Sequence, residues 1–298
     1  MFGFLLLGCH HLPLYHGRIL RVGHLGAYVT LAAGNSKAGI DVSMPSVARM
    51  YDWLLGGVEN YAADRTECER LLQIAPSSKI LARNNRAFLQ RVVRILAQDY
   101  GIRQFIDHGS GLPTQDNVHQ IAQRIDPQAR VVYIDNDPSV LAHGRAALEE
   151  NDNTVVLNAD MRHTDRILRH PEVQNLIDFT QPVAALFVSV LHCLPDQDRP
   201  EELVRRVSGH LAPGSFLVVC QLVSHRAEVR DRVTELMQVA THGHWGRVRE
   251  EHEVRAYLDG LDILDPGLVD VTQWRPDSEV VARPQHQEWV EWGGVARL

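Results

Sequence analysis

From residue 103 to about residue 240, short apolar runs typical of buried strands alternate with stretches whose apolar residues have the spacing of a helix. Short, nearly continuous apolar runs predict five strands, at "QFID", "RVVYID", "TVVLNAD", "VAALFVSVL" and "SFLVVCQLV". The segments between and after these runs have helical spacing and predict helices near 118–125, 138–150, 164–176, 199–211 and 225–240. Five successive strand–helix units predict a mostly parallel sheet with helices on both faces.

The stretch before the first strand is predicted to be helical. Ser43 is a suitable N-cap for a helix that carries Pro45 in its first turn and ends at Gly56-Gly57. Two further patterns predict helices over 61–73 and 77–99.

The C-terminal part adds a predicted helix over 248–259 and two extended segments. These segments, "LVDVTQW" and "WVEWGGVARL", can pair as an antiparallel edge, which gives a seven-stranded sheet in total. We therefore predict an N-terminal helical region at 41–102 and an α/β domain at 103–298.

Residues 1–40 lack this order and are predicted to be an irregular N-terminal extension. The apolar stretch "FGFLLLG" has no charged flank, so we do not expect a secretory signal. The potential metal ligands of the extension match no standard zinc spacing; they are Cys9, His10, His11, His16 and His24. His242 and His244 lack a third ligand nearby, and we predict no metal site.

Composition narrows the functional classes. Apolar residues make up 45% and charged residues 22% of the 298 residues, as in globular proteins, and the net charge is −7. Without an overall basic field, a nucleic-acid ligand is disfavoured. The four cysteines form no CxxC pair, which indicates reduced thiols and a cytoplasmic location, and no apolar run reaches membrane-spanning length. The sequence leaves open whether the chain forms a homodimer.

The turn after the first strand carries the strongest chemical signal. In "RQFIDHGSGLPT", Asp107 precedes Gly109-x-Gly111, which allows a tight turn and close approach of a ligand beyond the end of the strand. Thr114 stands where the dinucleotide fingerprint has a third glycine, and it resembles a helix start. A carboxylate at Asp107 would repel a pyrophosphate but attract an α-ammonium group.

Two further acids end the next two strands. Asp135 is placed to accept both hydroxyls of a ribose, and Asp160 to accept from an adenine amino group. The predicted ligand therefore has an ammonium, a ribose and an adenine and needs no phosphate. S-adenosylmethionine has these groups.

The same stretches resemble class I S-adenosylmethionine-dependent methyltransferases, through "FIDHGSG", "VVYIDNDP", "NADM" and "HLAPGSFLVV". The longer strings "PSVARMYDWLLGGVENYAADR", "NRAFL" and "GSGLPTQDNVHQIA" are similar to a mostly actinobacterial family, first labelled a domain of unknown function and later S-adenosyl methyltransferase. The resemblance covers roughly 40–298 and implies a Rossmann-like fold with S-adenosylmethionine as cofactor. His108 departs from the usual aliphatic residue and faces either away from the turn or along the pocket wall.

The resemblance also implies roles for single residues. It assigns three groups of residues to parts of the cofactor: Asp107, Gly109 and Gly111 to the methionine end, Asp135 and Asn136 to the ribose, and Asp160 and Met161 to the adenine. Ser110 and Ser189, the latter near the end of the fourth strand, complete the cofactor-binding set. Asp137 precedes Pro138 and is predicted to cap the next helix.

The methyl acceptor is expected between the end of the fourth strand and the N-terminal helices. The catalytic candidates are His192, as a general base, and Tyr51, although methyl transfer requires mainly in-line positioning and a desolvated pocket. Other candidates for this side are Asp52, Asn60, Tyr61, Asp64, Gln221 and His225. The helices over 44–73 are predicted to form a lid hinged at Gly56-Gly57; the alternative is ordinary packing and a plain helix stop.

Three functions fit these observations. The leading hypothesis is an enzyme that methylates a small molecule. The second is a non-catalytic module that binds S-adenosylmethionine or S-adenosylhomocysteine and acts through a partner. The third is a nicotinamide-dependent oxidoreductase, which Asp107 and Thr114 oppose. The residues do not select an acceptor.

Overall fold

Strands and helices alternate along the chain from residue 104. The computed structural model describes residues 40–148, 151–277 and 288–298; the N-terminal extension with its histidines lies outside these ranges. The strands are β1 Gln104–His108, β2 Arg130–Asp135, β3 Thr154–Asn158, β4 Ala184–Val188, β5 Phe216–Val223, β6 Asp262–Ile263, β7 Val269–Asp270 and β8 Val290–Arg297. The helices are α1 Val47–Leu55, α2 Ala62–Ile74, α3 Ser78–Gln98, α4 Val118–Ile125, α5 Pro138–Ala147, α6 Thr164–Leu168, α7 Pro171–Leu176, α8 Pro200–Ser208, α9 Ala227–Ala240 and α10 Glu251–Arg255.

The strands form one mixed sheet in the order β3-β2-β1-β4-β5-β8-β6, with β7 also paired to β8. The first five strands are parallel, as the alternating pattern predicts, and β8 runs antiparallel to β5. The sheet has eight strands and not seven, because β6 and β7 are separate two-residue strands on one side of β8. The predicted antiparallel pairing of the tail is confirmed, but β8 is an internal strand and not an edge.

The close approach of β8 to β5 explains the glycine pair in "EWGGV". A Cβ atom at Gly293 would collide with the carbonyl oxygen of Val219. Glycine therefore allows β8 to lie against β5, and the C-terminal segment becomes part of the sheet.

Several helix boundaries differ from the sequence predictions. The N-cap of α1 is Ser46, whose Oγ accepts from the Arg49 amide, and not Ser43, which bonds to Asp41. The predicted helix over 164–176 is divided into α6 and α7, and Pro171 stands at the start of α7, where it cannot donate an amide hydrogen bond.

Two further helices also differ in their bounds from the sequence predictions. The helix predicted near Pro113 and Thr114 begins only at Val118, because Asn117 and Gln120 form a capping box. The segment predicted as a helix over 248–259 forms the short α10 followed by a 3-10 turn. None of the helices in the described ranges is long and apolar enough to cross a membrane.

Three clusters of apolar side chains hold the helical region over the edge of the sheet at which the parallel strands end. On one face, Phe88 of α3 meets Trp274 edge to face, with ring centroids 5.7 Å apart. On the opposite face, α8 packs over β4 and β5. A third cluster joins α1, α2 and α9 with the side chains of Trp245 and Trp289. The carboxyl ends of β1, β2 and β4 thus lie beneath α1, and this arrangement encloses the site.

Candidate active site

A cavity of about 780 Å³ lies at the carboxyl ends of β1, β2 and β4. This volume is within the range of small-molecule sites. All predicted cofactor-binding residues and both catalytic candidates line it: Tyr51, Asp107, Gly109, Ser110, Gly111, Asp135, Asn136, Asp160, Met161, Ser189 and His192. The structure therefore brings together residues that are up to 141 positions apart in the printed sequence.

Asp107, the penultimate residue of β1, places a buried carboxylate in this cavity. In the described part of the chain, its side chain forms no hydrogen bond and no ion pair, and only 5% of the residue is exposed. Burial is the main cause that raises the pKa of Asp107 to about 7; Asp135 raises it further, and Arg86 opposes the shift. A buried carboxylate without a partner is costly, so the site fits a ligand that brings a cation.

The glycine turn leaves space above this carboxylate. Gly109 and Gly111 have φ values of 71° and 67°, and a Cβ at Gly111 would meet nothing within 4 Å. A Cβ at Gly109 would instead collide with Val190, so this glycine is needed for packing. The buried hydroxyl of Ser110 has no partner among the described residues and can bond to a ligand.

Asp135 lies at the end of β2 beside the turn. Its two oxygens accept from the amides of Gly111 and Asp137, each at 2.9 Å. Burial raises the pKa of Asp135 to about 6, against these amide hydrogen bonds, which lower it. A carboxylate has about four acceptor positions, so two remain for the hydroxyls of a ribose.

The third predicted acid already has a partner. Both oxygens of Asp160 accept from the Arg162 side chain, and Arg162 also reaches Asp198 at 2.9 Å. Asp160 is half-buried, and its pKa is lowered by Arg162 although burial opposes this. An adenine amino group would share this carboxylate with Arg162, while Met161 supplies an apolar surface at the same end of the cavity.

Arg49 and Ser46 fix the helical region to the segment that follows β2, and Arg49 also forms a buried ion pair within the helical region. Arg49 of α1 and Asp64 of α2 are 2.9 Å apart, with side-chain exposures of 4% and 0%. Arg49 also donates to Ser139 Oγ at 3.2 Å, and Ser46 donates to Asp137. Asp137 caps α5 through the amide of Ser139, as predicted from the sequence.

The two catalytic candidates differ in their surroundings. His192 is buried, and its Nδ1 has no partner among the described residues. Burial, with Arg249 nearby, lowers the pKa of His192 to about 3, so the ring is neutral and only weakly basic. Tyr51 donates to the Ala82 carbonyl at 3.1 Å and accepts from Asn85 at 2.8 Å, and burial raises its pKa.

The remaining candidates for the acceptor side do not line this cavity: Asp52, Asn60, Tyr61, Asp64, Gln221 and His225. Asn60 donates instead to Asp52 at 2.9 Å, and a Cβ at Gly57 would collide with the same carboxylate. This geometry favours a fixed helix stop over a hinge. His108 stacks on Phe187 with 4.3 Å between ring centroids and does not line the cavity.

Arg86 and Glu291 are among the charged residues of the cavity wall that the sequence did not reveal as site residues. Arg86 of α3 lies close enough to lower the pKa of Asp107, and its position within "NRAFL" was the available signal. Glu291 of β8 is buried, and a lone acid between two tryptophans in an apolar strand was its only trace in the sequence. Among the described residues, no group of three or more His, Cys, Asp or Glu side chains could hold a metal ion.

Comparisons with known proteins agree with this geometry. The model of a family described as S-adenosyl methyltransferase matches residues 33–298. A "putative methyltransferase" from Thermobifida fusca YX is 38% identical, with a TM-score of 0.82 over 88% of this chain and 98% of that one. A DUF574 family protein from Streptomyces avermitilis MA-4680 is 34% identical, with a TM-score of 0.78 over 86% and 98%. A search of curated proteins gives no match.

Proposed function

Because the chain belongs to the S-adenosyl methyltransferase family, whose cofactor is S-adenosylmethionine, we propose that it methylates a small molecule bound in the apolar part of the cavity. The fold is that of the Rossmann-like class I methyltransferases. The identity of the acceptor and the roles of single residues belong to this proposal.

One observation carries the proposal: the buried carboxylate of Asp107 has no partner among the described residues and lies beside a glycine turn. An α-ammonium group supplies the missing positive charge, whereas a pyrophosphate would add negative charge to a site that already holds Asp107 and Asp135. Asp135 and Asn136 would hold the ribose, and Asp160 with Met161 would hold the adenine. Arg86 is placed to pair with the carboxylate of the same amino acid.

S-adenosylmethionine, when bound, supplies an electrophilic methyl group. The protein's contribution is to position the acceptor and to exclude water. The wall opposite the acids is apolar and includes Leu222, Val233, Met237, Trp245 and Trp289. Such a wall fits a small, largely apolar acceptor and does not fit a highly charged polymer.

The N-terminal helical region supports this arrangement. α1 and the residues just before it line the cavity, whereas α2 contributes only Leu71 among the lining residues. We propose that residues 41–102 cover the methyl donor, with Tyr51 as a positioning group held by Ala82 and Asn85. His192 is a neutral wall residue that can accept a hydrogen bond from an acceptor.

Two measurements test this function. Calorimetry should show that S-adenosylhomocysteine binds the protein, and incubation of methyl-labelled S-adenosylmethionine with an extract should place label in the small-molecule fraction. Absence of binding would reject the cofactor site. Binding without any transfer would instead indicate a non-catalytic binding module, and label only in protein or nucleic acid would reject the small-molecule acceptor.

A further inference from the structure

A second buried carboxylate lies in the cavity on the side away from the cofactor acids. Glu291 is on β8, opposite Leu222 of β5, and is 2% exposed. It lines the same cavity as Ser189, Tyr51 and His192. No role in cofactor binding accounts for it, because the ammonium, ribose and adenine positions are served by residues at the ends of β1, β2 and β3.

Glu291 is held by neutral donors. Ser189 Oγ lies 2.7 Å from Oε1 of Glu291, and Cys220 Sγ lies 3.0 Å from Oε2. Ser189 is itself fixed in an unusual backbone conformation, with a φ of 57°, and its amide donates to the Cys220 carbonyl at 2.7 Å. The carboxylate is therefore held in place near the end of β4, and it forms no salt bridge with the described residues.

The titratable groups around Glu291 come from four elements. They are Tyr51 of α1, Cys193 after β4, Cys220 of β5 and Asp270 of β7. Burial raises the pKa of Glu291 to about 7, and Asp270 adds to this, although the hydrogen bonds from Ser189 and Cys220 oppose it. At neutral pH this group can both take up and release a proton.

The wall next to Glu291 has polar atoms that lack partners. Nε1 of Trp289, two residues before Glu291, and Nδ1 of His192 are both buried without a hydrogen bond among the described residues. Both residues line the cavity together with the ring of Trp245. Buried polar atoms usually have partners, so these atoms point to a ligand with polar atoms on an otherwise apolar, ring-shaped body.

We propose that Glu291 is the catalytic base for an apolar, ring-containing acceptor whose nucleophile is an aromatic hydroxyl. This inference rests on the proposed function and specifies its substrate class. An aromatic hydroxyl fits because its proton is weakly acidic, with a pKa of about 10 in the tyrosine side chain. The flat, apolar body would lie against Trp245 and Trp289.

In the proposed reaction, a nucleophilic displacement at the methyl carbon is coupled to the transfer of the hydroxyl proton to Glu291. The acceptor oxygen forms a bond to the methyl carbon while the bond from that carbon to the sulfonium sulfur breaks, and the electron pair stays on sulfur. The hydroxyl proton passes to an Oε atom of Glu291. The products are a methyl ether, S-adenosylhomocysteine and protonated Glu291, which returns its proton to solvent when the products leave.

The test compares two buried glutamates three residues apart. Glu291→Gln removes the basic carboxylate while keeping its shape. Glu288→Gln is the matched control, because Glu288 is 4% exposed, accepts from Ser77 at 2.7 Å and 2.6 Å, and does not line the cavity. The probes are 1-naphthol and 2-naphthol, with 1-naphthylamine and 1-naphthoic acid as analogues carrying other nucleophiles.

The expected result is methylation of a naphthol by the wild type and by Glu288→Gln. Glu291→Gln should lose about 100-fold or more in kcat, the range for a general base, with unchanged calorimetric affinity for S-adenosylhomocysteine. The wild-type kcat should rise with pH between about 5.5 and 8, because the ionised carboxylate is the active form, and this rise should be absent in Glu291→Gln.

The inference is overturned if S-adenosylhomocysteine binds but neither naphthol is methylated, if only the amine or the acid is methylated, or if Glu291→Gln keeps its activity. In each of these cases the proposed function survives, whereas a failure to bind S-adenosylhomocysteine would reject both. If Glu291→Gln does not fold, the wild-type pH profile and Glu291→Ala decide the matter. A flat profile between pH 5.5 and 8.5, or a Glu291→Ala variant as active as the wild type, contradicts a base at this position.

Discussion

Asn in place of Asp107 removes one negative charge from the cavity while keeping the side-chain volume. In the free protein this carboxylate has no partner among the described residues, so its loss breaks no internal contact. The α-ammonium of S-adenosylhomocysteine should bond to it directly. A hydrogen bond to a charged group is worth roughly 1.5–3 kcal/mol, so Asp107→Asn should weaken binding about 10- to 150-fold.

The pH dependence of binding gives a second, sharper signature. The pKa of Asp107 is raised to about 7 in the free protein, with Arg86 and Asp135 as the charged neighbours. Below pH 7 the ammonium must displace a proton, so wild-type affinity should fall about tenfold for each pH unit well below that pKa. Near pH 6, wild-type binding should release more protons than binding to Asp107→Asn.

Isothermal calorimetry in two buffers of different ionisation enthalpy measures both the affinity and the protons released. Methylthioadenosine, which lacks the amino-acid end, should bind wild type and Asp107→Asn equally. Asp178→Asn is a control, because Asp178 is exposed and does not line the cavity. The reasoning is refuted if Asp107→Asn binds S-adenosylhomocysteine with wild-type affinity and wild-type proton release.

The same substitution should stabilise the free protein. The folded pKa of Asp107 is higher than the unfolded value of 3.8, so the stability from this group is complete below about pH 3.8 and is lost as pH rises through about 7. Asp107→Asn removes that loss. Its melting temperature should exceed that of the wild type by an amount that grows between pH 5 and pH 8, and a constant or opposite difference would contradict the sign.

Three further predictions concern the other charges of the site. Asp135→Ala should weaken S-adenosylhomocysteine and methylthioadenosine alike by about 100-fold or more, since both ligands carry the ribose and two bonds to a charged group are lost; unchanged calorimetric affinity in a folded variant would contradict the ribose assignment. Arg86→Gln should weaken only S-adenosylhomocysteine, by about tenfold or more, and equal weakening of methylthioadenosine would exclude a carboxylate partner. Asp64→Asn should lower the unfolding free energy in urea by about 3–5 kcal/mol, because Arg49 is left buried and unpaired, and a loss below about 1 kcal/mol would show that solvent compensates the charge.

The pattern of the sequence was sufficient to predict the five parallel strands and the edge at which three acids of the candidate site meet. The alternation of strand-like and helix-like apolar patterns defines the five strand–helix units. Because the strands are parallel, their carboxyl ends lie at the same edge of the sheet. Asp107, Asp135 and Asp160 therefore had to meet there, whatever the details of packing. Each lies within two residues of the end of a strand, so local sequence position was sufficient to locate it.

The residues of the opposite part of the cavity could not be predicted from local sequence, because tertiary packing selects them. Glu291 reaches Ser189 across 102 positions because β8 inserts between β5 and β6, and no local pattern encodes that strand order. Asn60 and Asp64 looked equally suited to a site, yet one bonds to Asp52 and the other is buried against Arg49. Polar side chains on a helix can face solvent, a ligand or each other. Which of these they face depends on the free energy of burying them against partners that are distant in the sequence.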